Sequence, residues 1–418
     1  MHCSGEAMRN GVHRTGPERG PRPIHPRSNG GPHLALPGPE DRLVPLDADD
    51  APRPTLRRPV LRTLRLGFVP LTDAAPLLAA QELGLFDAVG LRVTLSAEPS
   101  WAALRDKLAF GALDAAHLLG PMPIALAAGL TGVRAQVTIA AGLGANGNTV
   151  TLSNRLAQDL GRFPSPLAAA SFAALVRRRA AAGRPPLTIA VVFPFSSHSY
   201  LLRYWLAKGG LDPDRDLRLT VVPPPMVAQR LAEGEIDGFC AGEPWGSHAA
   251  ALGAGRIALS SGDIWPNHPE KVLAFDTAYA TRDPESATAC TAAVIAAARW
   301  LDEPANQAEA VNILRRRAFP KLDRTEIAAA FEGTAEGLPL DAPLRFHNAT
   351  LPRREQAAWF LRQMRRWGHV PAAVSDSLAL APWRQEIWRA AAARLHEAEP
   401  PAPPPPPSSP LTDSLEHA

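Results

Sequence analysis

Residues 187–193 read LTIAVVF and are followed by the polar loop PFSSH at 194–198 and by a helical stretch. Residues 64–69 read LRLGFV and are followed by PLTD at 70–73 and by a second helical stretch. A short apolar strand followed by a polar loop and a helix thus occurs twice in the sequence. Each copy then continues with a second strand, another helix and a third strand. The repeating unit is therefore βαβαβ.

The two copies occupy residues 64–129 and 187–253. Strands that alternate with helices predict parallel sheets with helices on both faces. Ligands of such sheets bind beyond the carboxyl ends of the strands. The sequence therefore predicts an α/β protein of two similar lobes that face each other across a ligand cleft.

Composition changes mark the ends of this core. Residues 1–60 are polar and Pro/Gly-rich, and residues 396–418 include five consecutive prolines, as is typical of disordered segments. Between them we predict lobe 1 over 61–153 and lobe 2 over 154–255. Residues 256–395 are predicted to return to lobe 1 and to add C-terminal helices.

Charge and cysteine content exclude several function classes. The 418-residue chain has a net charge of +3 and no run of lysine or arginine long enough to track a phosphate backbone, so direct nucleic-acid binding is disfavoured. Cys3, Cys240 and Cys290 are widely spaced and form neither a disulfide framework nor a CxxC metal pair. No metal and no cofactor is predicted.

Residues 1–60 contain no apolar stretch of the kind that a signal peptide requires, and no later run is long and apolar enough for a transmembrane helix. The sequence predicts a cytoplasmic protein, or a periplasmic one if the start codon is misassigned. The usual catalytic signatures are also absent from the sequence, including the dinucleotide fingerprint, the Walker loop and the nucleophile elbow. The chain is therefore predicted not to be an enzyme.

Polar residues beside the predicted cleft point to anion binding. Asn148, in the stretch NGNT, offers an amide group next to backbone N–H groups, although a simple Asn-Gly turn would read the same way. His198 precedes a helix whose free N–H groups favour an anion, and the alternative is a histidine that only packs locally. Lys271 lies on the return segment and offers a compact cation, or else faces solvent.

Three further residues are candidates for the same region. The ring of Trp101 could line a pocket, and its indole N–H could donate a hydrogen bond to a ligand, although an isolated tryptophan is more often a core residue. Asp73, in the loop after the first strand, and Glu243, in the stretch GEPW, are candidates for supporting the ligand residues or for holding a cation. A structural salt bridge is the alternative for Glu243.

A series of short motifs resembles the nitrate/bicarbonate-binding proteins of ABC importers over roughly residues 62–370: GFVPLTDAAP at 67–76, SW at 100–101, RDK at 105–107, GPMP at 120–123, NGN at 146–148, RYWL at 203–206, GEPW at 242–245 and HPEK at 268–271. The resemblance implies a periplasmic-binding-protein fold of type II. It also implies that a tryptophan, an amide, a histidine and a lysine hold the anion, which places these roles on Trp101, Asn148, His198 and Lys271.

The resemblance leaves open what the binding serves. One branch of the family is a cytoplasmic nitrate/nitrite sensor that restrains an RNA-binding antiterminator, and this is the function that the lack of a signal peptide favours. The alternative is the substrate-binding component of a nitrate or bicarbonate importer, with an ABC permease and ATPase as partners. An enzyme of thiamine-precursor synthesis on the same fold is disfavoured, because the chain has no cysteine-rich loop.

Overall fold

The computed structural model describes residues 62–161, 166–335, 338–339 and 343–408. The predicted disordered head, residues 1–60, lies outside this part of the chain. Twelve strands occur in the described residues: β1 Arg62–Phe68, β2 Leu91–Ala97, β3 Ala115–Leu119, β4 Val137–Gly142, β5 Asn148–Ser153, β6 Thr188–Val191, β7 Arg218–Val221, β8 Gly238–Gly242, β9 Gly255–Ser260, β10 Lys271–Asp276, β11 Thr334–Ala335 and β12 Leu338–Pro339.

Sixteen α-helices accompany the strands in the same residues: α1 Ala75–Glu82, α2 Leu85–Ala88, α3 Trp101–Ala109, α4 Met122–Ala128, α5 Asn154–Leu160, α6 Ala169–Ala181, α7 Ser197–Lys208, α8 Val227–Ala232, α9 Trp245–Ala251, α10 Thr277–Arg282, α11 Pro284–Asp302, α12 Gln307–Arg317, α13 Arg324–Glu332, α14 Arg354–Arg366, α15 Asp376–Leu380 and α16 Gln385–Arg394. None of these helices combines the length and the apolar character that a membrane crossing requires.

Two five-stranded sheets form the two lobes, and they share one topology. The strand order is β2-β1-β3-β10-β4 in the first sheet and β7-β6-β8-β5-β9 in the second. Strands β3 and β8 are buried along their whole length, as is usual for sheets that helices cover on both faces. The predicted repeat and the two-lobed α/β architecture are confirmed.

The lobes exchange one strand each. The sequence predicted the return of the chain to lobe 1 that supplies β10, but not the transfer of β5 to lobe 2. Strand β5 pairs antiparallel with β8 and β9 of the second sheet, and β10 pairs antiparallel with β3 and β4 of the first. The chain leaves β4 at the carboxyl edge of one sheet and enters the other sheet at its carboxyl edge, so the entering strand must run opposite to its neighbours. The sheets are therefore mixed rather than wholly parallel.

This exchange also moves the lobe boundaries away from the predicted positions. Residues 148–153 were predicted to belong to lobe 1, but as β5 they pair in the second sheet. Most of β9 was assigned to the return segment, yet it is the edge strand of that second sheet. The chain crosses between the sheets at residues 143–147 and 261–270. Both crossings lie next to the cleft. The second supplies residues to it, and the first leads into β5, which begins with Asn148.

The Pro-rich tail differs from the predicted disorder over residues 397–408. Arg353 Nη2 donates to the carbonyl of Pro400 at 2.5 Å, and Trp359 Nε1 donates to that of Pro407 at 3.3 Å. Tyr204, on α7 of the second lobe, donates its hydroxyl to the carbonyl of Ser408 at 2.8 Å. Half-buried prolines occur at 400, 403, 406 and 407, and the spacing of the first three matches the three-residue turn of a polyproline II helix. The tail thus lies along α14 and reaches the second lobe.

Deleting the chain after His396 is expected to lower the melting temperature by about 2–4 °C, because hydrogen bonds worth about 1 kcal/mol net are lost. Proline loses little conformational freedom on ordering, so little entropy offsets that loss. Differential scanning calorimetry is the measurement. A variant that ends at Ser408 retains all of these contacts and serves as the control. Equal melting temperatures for the two truncations would show that the tail contacts contribute nothing.

Candidate anion-binding site

The four candidate ligand residues converge at the junction of the lobes. Trp101 is the first residue of α3, and His198 lies in the first turn of α7. Asn148 begins β5 and Lys271 begins β10, so each crossing strand supplies one residue. All four side chains are at most 1% exposed. None of them faces solvent, which excludes that alternative for Lys271.

Serine caps fix the helix starts that carry two of these residues. Ser100 Oγ accepts a hydrogen bond from the backbone N–H of Ala103 at 3.2 Å, and Ser196 Oγ accepts one from Ser199 at 3.0 Å. The caps hold Trp101 at the start of α3, after β2 of the first lobe, and His198 in the first turn of α7, after β6 of the second. Ser196, rather than the adjacent Ser197, caps α7.

Lys271 is the cation of the site. Its Nζ lies 2.7 Å from Asp73 Oδ2, donates to Glu270 Oε1 and stands 5.5 Å from the centre of the Trp101 ring. Burial lowers the pKa of Lys271, but the charges of Asp73 and Glu270 outweigh that effect and raise the pKa above its usual value. The ammonium group therefore stays charged although it is fully buried.

Glu270 is the residue that sequence analysis missed as a candidate. Its Oε2 accepts a hydrogen bond from Asn148 Nδ2 at 2.7 Å, while its Oε1 accepts from Lys271. His198 Nε2 lies 3.7 Å from Oε1, and His268 Nδ1 lies 3.7 Å from Oε2. Burial would raise the pKa of Glu270, but the positive charge of Lys271 lowers it to about 2. The carboxylate is thus ionised at the centre of the cluster.

Three buried histidines surround the charged groups, and two of them were not predicted. His117, in β3, has its Nε2 3.1 Å from Asp73 Oδ1, and His268 Nε2 lies 2.7 Å from Ser261 Oγ. Burial lowers the pKa of His117 and of His268, and it lowers the pKa of His198 to about 3. With neutral histidines, the two carboxylates and one ammonium give the cluster a net charge of −1.

Several buried polar atoms in the cleft have no hydrogen bond within the described part of the chain. They include Trp101 Nε1, Ser197 Oγ, Asn148 Oδ1, Asp73 Oδ1 and both ring nitrogens of His117 and His198. Buried polar atoms are rarely left without a partner, so such a group is typical of a site that completes its hydrogen bonds with a ligand. The set combines N–H and O–H donors with two oxygen acceptors, beside a buried cation. Such a set suits a small oxyanion.

Glu243 lies apart from the cluster, in the second lobe. Its carboxylate accepts hydrogen bonds from Thr149 Oγ1 at 2.9 Å and from the backbone N–H of Ser247 at 3.1 Å, and burial raises its pKa. Its backbone carbonyl accepts from both the N–H and the hydroxyl of Thr72, across the cleft. No group of acidic, histidine or cysteine side chains suited to a metal ion occurs among the described residues. The contacts of Glu243 therefore join the lobes.

Asn146, in the same NGNT stretch, stabilises the first crossing. It adopts a left-handed conformation with φ 65°, and its Oδ1 accepts a hydrogen bond from the backbone N–H of Asn267 at 2.8 Å. Asn267 lies on the second crossing and has φ 58°. The pair thus ties the two crossings together, while Asn148, two residues on, enters the cleft. The turn interpretation holds for Asn146 rather than for Asn148.

Known proteins of similar sequence are anion-binding proteins. The family model described as the NMT1-like family matches residues 57–315. The nitrate/nitrite binding protein NrtA of Synechococcus elongatus is 35% identical over 353 residues, which cover 80% of this chain and 78% of that protein. The bicarbonate-binding protein CmpA of the same species is 32% identical over 359 residues, covering 80% and 79%. The chain is thus similar to proteins with two different named ligands.

Two further similarities concern an importer subunit and the fold. The nitrate import ATP-binding protein NrtC of Synechocystis is 34% identical over 320 residues, which cover 73% of this chain and 46% of that protein. The crystal structure of the periplasmic nitrate-binding protein NrtA from Synechocystis superposes with a TM-score of 0.75 at 31% identity, covering 82% of this chain and 92% of that one. The chain has the fold of its nitrate-binding relative. It belongs to the NMT1-like family and is a binding protein rather than an enzyme.

Proposed function

We propose that the protein binds nitrate or nitrite in the cleft between its lobes, as the substrate-binding component of an ABC importer. The observation that carries the proposal is the buried cluster of Trp101, Asn148, His198 and Lys271, whose polar atoms are incompletely hydrogen-bonded. Lys271 supplies a fixed positive charge, from which a permanent anion gains most. The trigonal shape of nitrate suits donors that approach from both lobes.

Asp73 has a supporting role in this proposal. Its carboxylate lies between Lys271 and His117 and so orients the ammonium group rather than meeting the anion. Glu243 helps to hold the lobes together, because its backbone carbonyl accepts hydrogen bonds from Thr72 of the opposite lobe. Neither carboxylate is proposed to bind a metal ion, and the proposal includes no cofactor.

Bicarbonate is the second candidate ligand, and one contact favours it. The oxygen of the Asn148 amide is a buried acceptor without a hydrogen-bond donor among the described residues, and bicarbonate carries an O–H that nitrate lacks. The similarity to a bicarbonate-binding protein points the same way. Both ligands therefore enter the first experiment.

The importer is favoured over the sensor as the physiological setting. The relatives are binding proteins and an import ATPase, so an ABC permease and ATPase are the proposed partners. An RNA-binding antiterminator finds no support among them, and the cytoplasmic location predicted from the sequence stays a prediction. Fractionation of cells, followed by affinity capture, distinguishes the two settings. Recovery of an antiterminator from the cytoplasmic fraction, without permease or ATPase, would contradict the importer proposal.

We expect isothermal titration calorimetry to give micromolar dissociation constants for nitrate and nitrite, equivalent to about −8 kcal/mol. Bound anion should also raise the melting temperature by mass action. Sulfate, a dianion, serves as a control, because the proposed ligand is a small monoanion.

A substitution at His198 tests whether the heat of anion binding comes from the cleft. His198→Ala is expected to weaken nitrate binding by about 2–4 kcal/mol, since a buried donor is lost. His396→Ala, at an exposed histidine, is the matched control. Binding of bicarbonate alone would transfer the proposal to the second ligand, and no heat with any of these anions would refute it.

A further inference from the structure

The donors assigned to the anion already hold a carboxylate that belongs to the protein. Asn148 Nδ2 and Lys271 Nζ both donate to Glu270, and His198 Nε2 faces Glu270 Oε1 at 3.7 Å. Three of the four proposed ligand residues thus converge on one side chain. Glu270 is fully buried and ionised, so its carboxylate occupies the site as a fixed negative charge.

The charges of the cluster oppose a second anion. The titratable groups that face Glu270 are Lys271, Asp73, His117, His198, His268 and Cys240. Burial raises the pKa of the Cys240 thiol and lowers that of each histidine, so these four groups are neutral. Adding a monoanion to the net charge of −1 would place −2 in a buried site, where unpaired charge is most costly.

One proton relieves this conflict. A proton on the Glu270–His198 pair returns the occupied site to −1 and converts an acceptor that repels nitrate into an O–H or N–H that donates to it. The two groups share the proton as a coupled pair. Bicarbonate adds the same negative charge, but it carries its own O–H, which can donate to the carboxylate in place of the proton that nitrate has to take from solution.

We propose that Glu270 acts as an internal carboxylate competitor at the anion site, so that nitrate binds together with one proton whereas bicarbonate binds without one. This inference rests on the proposed function, since it assumes that the cleft is where the anion binds. Glu270 then determines specificity through the proton content of the ligand. It also makes nitrate affinity depend on pH.

The test is calorimetric titration of the full chain with nitrate, from pH 6 to 8.5, in buffers of different ionisation enthalpy. We expect uptake of about one proton and about a tenfold loss of affinity for each rise of one pH unit. Glu270→Gln should bind nitrate at least about tenfold more tightly than the unaltered protein at pH 8, without proton uptake. The same variant should bind bicarbonate more weakly, because it lacks the acceptor for the O–H.

Glu326→Gln is the matched control, because the Glu326 carboxylate also pairs with a histidine, His248, at 2.6 Å. It should leave proton uptake unchanged. Nitrate binding that is independent of pH, together with unaltered affinity in Glu270→Gln, would overturn the inference while leaving the proposed function intact. Failure of both proteins to bind nitrate at pH 6 would instead remove the proposed function, and with it the inference. A fold check by circular dichroism separates unfolding of Glu270→Gln from loss of binding, and pH-independent binding in the unaltered protein decides the matter even then.

Discussion

Lys271→Met is expected to weaken nitrate binding by at least about 30-fold and to lower the free energy of unfolding by about 3–5 kcal/mol. Methionine has a similar length, so the change removes charge without leaving a large cavity. What remains is Asp73 and Glu270, two buried carboxylates that share no other cation among their described contacts. Breaking a buried ion pair on one side is costly because the remaining charge is desolvated and unpaired.

The loss of binding and the loss of stability have separable causes. Loss of a charged hydrogen-bond partner alone weakens anion binding by about 2–4 kcal/mol, or roughly 30-fold to 1000-fold. The double variant Glu270→Gln/Lys271→Met removes one negative charge together with the positive one. We expect it to recover most of the stability but not the nitrate affinity.

Chemical denaturation monitored by fluorescence measures the stability of each variant, and calorimetry measures binding. Lys321→Met, at an exposed lysine, is the control for the substitution itself. Stability equal to that of the unaltered protein in Lys271→Met would show that Asp73 and Glu270 do not depend on the ammonium group. Nitrate affinity retained in a folded variant would remove Lys271 from the site.

Local patterns explain why part of the site could be predicted. Trp101 and His198 follow apolar strands and polar loops in the two repeats, and their helices begin at serine caps, so sequence alone places them near the carboxyl edges of the sheets. Lys271 and Asn148 lie where the chain passes from one lobe to the other. Their convergence with the first two requires the two-lobed arrangement, which the repeat predicts, and also the exchanged strands β5 and β10 on which they lie.

Other residues owe their place to contacts that no local pattern reveals. His117 lies within the apolar stretch AAHLL of β3 and reads as a core residue, and its partner Asp73 is 44 positions away. Glu270 precedes Lys271 directly, so strand alternation would send the two side chains to opposite faces. Because Glu270 lies just before β10 begins, that alternation does not apply, and both side chains enter the cleft.

The transfer of β5 to the second lobe was missed for a similar reason. Strand β5 follows β4 after only five residues, which favours assigning both to one lobe. Its apolar pattern is satisfied equally by either sheet. Only the direction of the crossing chain decides that β5 pairs antiparallel with β8, and direction is a property of the assembled lobes.

The free energy of unfolding is expected to fall steeply as the pH drops below about 6.5, with a slope that approaches 4 kcal/mol per pH unit. The cause is the three buried histidines of the cleft, His117, His198 and His268, whose pKa values burial lowers from an ordinary value near 6.5. In the unfolded chain each of them takes up a proton near that pH, while in the folded protein each stays neutral.

The sign follows from this difference in bound protons. A group whose pKa is lowered on folding contributes stability that is fully present above its unfolded pKa and is lost as the pH falls. Three such histidines give up to about three protons of difference, and each proton is worth about 1.4 kcal/mol per pH unit. Below about pH 4.5 the depressed pKa values of Glu270 and Asp73 add a second loss of the same sign.

Urea denaturation at pH 5 to 8, in a buffer free of nitrate and bicarbonate, measures the slope directly. His198→Gln should reduce the slope between pH 6 and 5 by about one third, because one of three linked protons is removed. His396→Gln, at an exposed histidine, should leave it unchanged. The anion must be kept out, because bound nitrate would itself stabilise the protein more at low pH if it binds with a proton. Stability that stays constant from pH 7 to pH 5 would mean that the buried histidines can be protonated without cost, and would contradict the charge assignment of the cleft.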